Sequence, residues 1–109
     1  MRVELHVFSG RPNPLMELDE PRVNALRGLQ QNLSATNHPP SVAPGLGYSG
    51  FSFDDRGDHV VVYDGYVQRG RRVLDDPTMS VELFLLDQLP EEMAAIRERV
   101  RAQLHRSRR

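Results

Sequence analysis

Seven residues near the N-terminus concentrate the chemistry of this 109-residue chain: Phe8-Ser9-Gly10-Arg11-Pro12-Asn13-Pro14. Pro12 and Pro14 each fix φ, and the residue before a proline is itself restricted. The loop is therefore stiff and holds Arg11 and Asn13 in defined places. A planar guanidinium and an amide on a rigid loop suit recognition of a carboxylate, a phosphate or a backbone carbonyl. The same side chains can equally satisfy local carbonyls in a structural turn, and their chemistry alone leaves both uses open.

Composition narrows what else is available. The chain has no Cys, which removes thiolate nucleophiles, disulfides, zinc–thiolate sites and iron–sulfur clusters. All 14 basic residues are Arg, so there is no lysine for a Schiff base, a phosphate loop or general-base work. Chemistry must come from His, Asp/Glu, Ser/Thr, Tyr, Asn, Arg or a bound metal. Asp54, Asp55 and Asp58 lack the spacing of a calcium loop and read as a solvated hairpin turn. A formal charge of -1 argues against a dedicated nucleic-acid binder. The C-terminal arginines share a helix with Glu91, Glu92 and Glu98 and lack interleaved aromatics, so they read as a solvated face and a frayed tail from about residue 105. No apolar run approaches the ~20 residues of a membrane span, and Met1–His6 lacks a signal peptide's apolar core. The expectation is a cytoplasmic protein with neither nucleic acid nor membrane as partner.

These residues need elements to position them. Val3, Leu5 and Val7 alternate with Arg2, Glu4 and His6, the period of a strand with one apolar face. Asp19 caps a helix carrying Val23, Leu26, Leu29 and Leu33. Residues 34–47 hold three prolines and two glycines and read as an irregular loop. Tyr48–Phe53 and His59–Gln68 read as strands of one antiparallel hairpin. Asp76-Pro77 opens a helix that is apolar almost all round through Leu89, and Pro90-Glu91-Glu92 opens another. Residues 1–109 then form a single α+β domain: a small antiparallel sheet of three to four strands packed against two or three helices.

Phe8–Pro14, followed by Leu46-Gly47-Tyr48-Ser49-Gly50-Phe51 and by Val62-Tyr63-Asp64-Gly65-Tyr66-Val67, resembles a family of small, largely uncharacterised bacterial and fungal proteins. The resemblance covers roughly residues 3–86. Where that family often carries Trp, this chain has Met16. The family in turn is similar to copper-dependent peptide-modifying proteins that oxidatively cut their own backbone at an asparagine. That similarity implies a copper cofactor and gives Asn13, Arg11 and Ser9 as candidate catalytic residues. In Asn13-Pro14 the following residue has no N–H, so succinimide formation is blocked while the Cα hydrogen stays abstractable. Oxidation there, followed by hydrolysis or rearrangement, would break N–Cα and leave an amide ending at Pro12. The ligands would come from His, Asp/Glu, the N-terminal amine or Met. The candidates are His6 on the first strand, His59 opening a strand of the same sheet, and His38 on the long loop, as a third ligand or a lid residue. Two imidazoles on neighbouring strands suit Cu(II).

Two functions follow as expectations. One is a small copper protein, an oxygen-using oxidoreductase of peptide biosynthesis acting on its own Asn13 or a bound peptide. The other is a non-catalytic accessory module whose rigid loop grips a peptide or partner protein. A hydrolase is the weaker alternative, for want of a nucleophile elbow or a recognisably spaced acid–base pair.

Overall fold

The alternation at the N-terminus forms strand β1 (Arg2–Leu5). In the computed structural model, which describes residues 1–7, 12–37 and 47–107, β1 lies second in a seven-stranded antiparallel sheet. Its companions are β2 (Leu15–Glu17), β3 (Ser34–Ala35), β4 (Phe51–Asp55), β5 (Asp58–Tyr63), β6 (Tyr66–Arg69) and β7 (Arg72–Asp75). The spatial order is β2-β1-β4-β5-β6-β7-β3. The helices among the described residues are α1 (Glu20–Gln31), α2 (Ser80–Asp87) and α3 (Ala94–Ser107), with a 3₁₀ turn at Glu91–Met93.

The sheet is thus larger than the three to four strands expected. His59–Gln68 is two strands, split by Asp64 and Gly65 at φ 53° and 81°. Positive φ at both central residues is the I′ hairpin geometry, which an Asp-Gly pair favours. A further two-residue turn at Gly70–Arg71 folds β7 onto β6, although Arg69–Asp75 is charged and carries no clean alternation. Ser34–Ala35 leaves the irregular stretch to pair with Leu74 and Asp75. Leu15–Glu17 adds to β1 at the opposite edge.

One face of the sheet makes the core. Val3, Leu5, Phe51, Phe53, Val60, Val62, Val67 and Leu74 pack with Val23 and Leu26 of α1, Val81, Leu85 and Leu86 of α2, and Val100 and Leu104 of α3. Each such side chain contributes about 1.5–3 kcal/mol by leaving water. On the alternate face the register lines up Glu4, Ser52, Val61, Gln68 and Val73 across five strands. All but Ser52 in that row keep part of their surface in solvent.

The helix starts differ in kind. Asp19 accepts from the Arg22 N–H at 3.2 Å and caps α1. Asp76, buried, was expected to cap α2 directly with Pro77 at the first position. The helix instead begins at Ser80, after Met79 in the left-handed region at φ 57°. Asp76 reaches forward to accept from the Val81 N–H at 2.9 Å and the Ser80 hydroxyl at 2.8 Å. Near the C-terminus α3 stays helical to Ser107, past the residue where fraying was expected. Among the described residues no helix is long and apolar enough to cross a membrane.

Candidate functional site

His6 follows β1 directly, and its backbone continues the ladder. Its N–H donates to Gly50 O at 2.9 Å, and its carbonyl accepts from the Ser49 N–H at 2.8 Å. Gly50 sits at φ +102°, and a Cβ there would overlap the Val62 carbonyl oxygen. Only glycine lets the chain pass this close to β5. The glycine–aromatic segment is therefore what brings β4 alongside His6.

Asn13 arrives from the other side. Its Oδ1 accepts from the Val7 N–H at 3.1 Å. Its Nδ2 donates to Glu4 Oε2 at 3.0 Å and lies 3.4 Å from His6 Nδ1. The carboxamide thus staples the end of the proline loop to β1. Glu4 Oε2 and His6 Nδ1 are 3.5 Å apart, with side chains 39% and 33% exposed. His6 Nε2 lies 2.6 Å from the hydroxyl of buried Ser52.

A glutamate, a histidine and a serine in sequence have the order of an activated nucleophile. The Val7 contact fixes which end of the Asn13 amide is oxygen. Its nitrogen donates to Glu4 Oε2, and His6 Nδ1 has both that nitrogen at 3.4 Å and the Glu4 carboxylate at 3.5 Å, so either tautomer of the ring finds a partner. The sense of the Nε2–Ser52 contact follows the tautomer: with the ring proton on Nδ1, Nε2 accepts from the Ser52 hydroxyl, as a general base would, and with it on Nε2 the ring donates.

Of the expected site residues, Asn13 and His6 are brought together. Ser9, Arg11 and His38 lie outside the described residues. His59 is not beside His6: β4 runs between their strands, and His59 faces Asp54 at the far end of β4, its Nδ1 2.8 Å from Asp54 Oδ1. Among the described residues no three His, Asp or Glu side chains converge as metal ligands. Of the aspartates read as a solvated turn, Asp55 is buried and ion-paired.

Sequence reasoning missed Glu82. It is fully buried on α2, accepting from the Tyr48 hydroxyl at 2.6 Å and the Gly65 N–H at 2.7 Å. Burial pushes its carboxyl above the ordinary glutamate range, while the donated hydrogen bonds from Tyr48 and Gly65 pull the other way. Burial, reinforced by Glu82, holds the Tyr48 phenol well above its usual value, so it stays a neutral donor. The signal was a lone carboxylate inside the apolar run Val81–Leu86. No protein-family model, curated protein or solved structure matches the chain.

Proposed function

We propose that the chain is a non-catalytic, cytoplasmic accessory module that binds an extended peptide along the free edge of β2, beside the stapled Pro12–Pro14 turn. The carrying observation is the hydrogen-bond parity of that edge. Leu18 and Met1 exchange bonds at 2.8 and 3.1 Å, and the Leu5 N–H donates to Pro14 O at 3.0 Å. Even-numbered residues therefore bond inward, and Leu15 and Glu17 turn their N–H and C=O groups away from β1. Leu15 is 53% exposed, and among the described residues no strand pairs with the outer side of β2. An added strand would satisfy those backbone groups and cover Leu15. The Asn13 staple keeps the neighbouring turn in place, so little ordering cost falls on the module itself.

The test is an immobilised decapeptide library followed by N-methylation of each retained peptide. Methyl groups at alternate positions should abolish binding, and those at the intervening positions should not. Leu15→Ser should weaken binding with no change in melting. Tolerance of N-methylation at every position, or no enrichment at all, would sink the proposal.

One observation favours a copper protein instead. His6 Nδ1 and Glu4 Oε2 face a common point with the Asn13 side chain between them. A cation taking N and O donors would sit there by displacing the Asn13 amide. With O₂ and a two-electron reductant, one oxygen atom would hydroxylate the Asn13 Cα and the other would leave as water. Collapse of the carbinolamide breaks N–Cα, giving a Pro12 amide and a ketone. Intact mass after Cu(II), ascorbate and air should then show the two fragments, and an unchanged mass discards this alternative.

A further inference from the structure

A second site lies on the helix-covered side of the sheet, away from His6. A cleft of about 320 Å³ opens between α1, the β4–β5 turn and the start of β7, and four guanidinium groups line it: Arg27, Arg56, Arg69 and Arg72. Two of the four are committed. Arg27 Nη2 lies 2.7 Å from Asp55 Oδ1, and Arg69 Nη2 lies 2.9 Å from Asp55 Oδ2. Arg69 also reaches Asp58 at 3.2 Å and Gln30 Oε1 at 3.2 Å. The guanidinium groups of Arg56 and Arg72 have no hydrogen-bonding or ion-pairing partner among the described residues, yet both residues line the same cleft.

Among the described residues the four guanidinium groups pair with two carboxylates, Asp55 and Asp58, which leaves two of the positive charges without a paired counter-charge. The chain as a whole is slightly acidic, so this surplus is local. Like charges brought together repel, and an anion between them removes the repulsion. We infer that the cleft binds a small phosphorylated molecule. Arg56 and Arg72 would take the phosphate oxygens as planar two-donor forks. Arg27 and Arg69 are already fixed by Asp55 and need no ordering on binding. A dianion matches the two spare charges, which a monocarboxylate would not. Leu33 and Leu74 give the organic part an apolar wall, and the volume is that of a small-ligand pocket.

The experiment is an amide-resolved NMR titration of the full chain with phenyl phosphate, inorganic phosphate and phenylacetate. Phenyl phosphate should shift the amides of Arg56, Arg72 and Leu74 saturably, inorganic phosphate should do so more weakly, and phenylacetate should not. Arg56→Gln and Arg72→Gln are surface changes outside the Asp55 network and should leave melting unchanged. Each should weaken phenyl phosphate binding about tenfold, and added salt should weaken it further. Phenylacetate binding as tightly as phenyl phosphate overturns the phosphate assignment. So does binding that both variants retain, shifts confined to other residues, or no saturable shift with any probe.

Discussion

Asn13 holds its loop through bonds to the backbone of Val7 and to two side chains of the strand it lies against. Asn13→Ala leaves the part-buried Val7 N–H without that acceptor. The expected cost is ~1–3 kcal/mol in urea unfolding, and a wild-type midpoint would show that the staple bears no weight. This role was half visible in the sequence, because an amide between two prolines has few conformations and must meet something. The backbone donor and the side-chain partners it meets come from β1 and the two residues that follow it, and could not be chosen without the register. Glu82 yields a prediction of opposite character. Its folded-state pKa is raised, so the folded chain holds more protons than the unfolded one between the ordinary glutamate value of about 4.3 and its own. Stability from this group should rise as pH falls from neutral toward that value. Glu82→Gln keeps the shape and an acceptor for the Gly65 N–H. Compared by urea titration at several pH values, the variant should lack this part of the pH dependence.

At the scale of elements, the strands with clean alternation were legible and the turns between them were less so. Val3-Glu4-Leu5 repeats with period two, whereas the consecutive Val60, Val61 and Val62 mark β5 as a strand by their β-branching rather than by alternation. The Asp64-Gly65 pair was hidden inside an apolar run that reads as one long strand, and only its positive φ values expose the hairpin. Ser34–Ala35 becomes a strand because β7 presents an edge to it, a tertiary effect with no local mark. The start of α2 moved for a related reason. Asp76 can cap from a distance because Met79 takes the left-handed region and brings the helix start back within its reach. Gly50 is where an element's path depends on a single atom. Gly50→Ala forces a Cβ into the Val62 carbonyl at a φ that side chains rarely adopt. We expect more than ~3 kcal/mol lost, with the Tyr48 contacts to Phe51 and Tyr63 displaced. Near-UV circular dichroism and a melting curve would check both.

Over the whole molecule, Asp55 ties α1 to β6 through Arg27 and Arg69. Hydrogen bonding from Arg27 holds its carboxyl below the usual aspartate range against the opposing effect of burial. Its contribution is complete above the unfolded value of about 3.9 and is lost as pH falls through the lower folded value. Asp55→Asn should cost ~3 kcal/mol at neutral pH and show a shallower acid limb, both measured by urea unfolding. The order of the strands carries a consequence in time. β4, β5, β6 and β7 are joined by two-residue turns and close with little loss of chain entropy. β1 meets β4 from far away, as the 46-residue separation of His6 and Ser52 records. Local hairpins form before distant closures, so the central meander precedes the seam on which β1 and β2 are laid. Glu4, His6, Asn13 and the free edge all belong to that last addition. The peptide site proposed on that edge would therefore be absent from a nascent or partly opened chain, and binding there would double as a report that folding is finished.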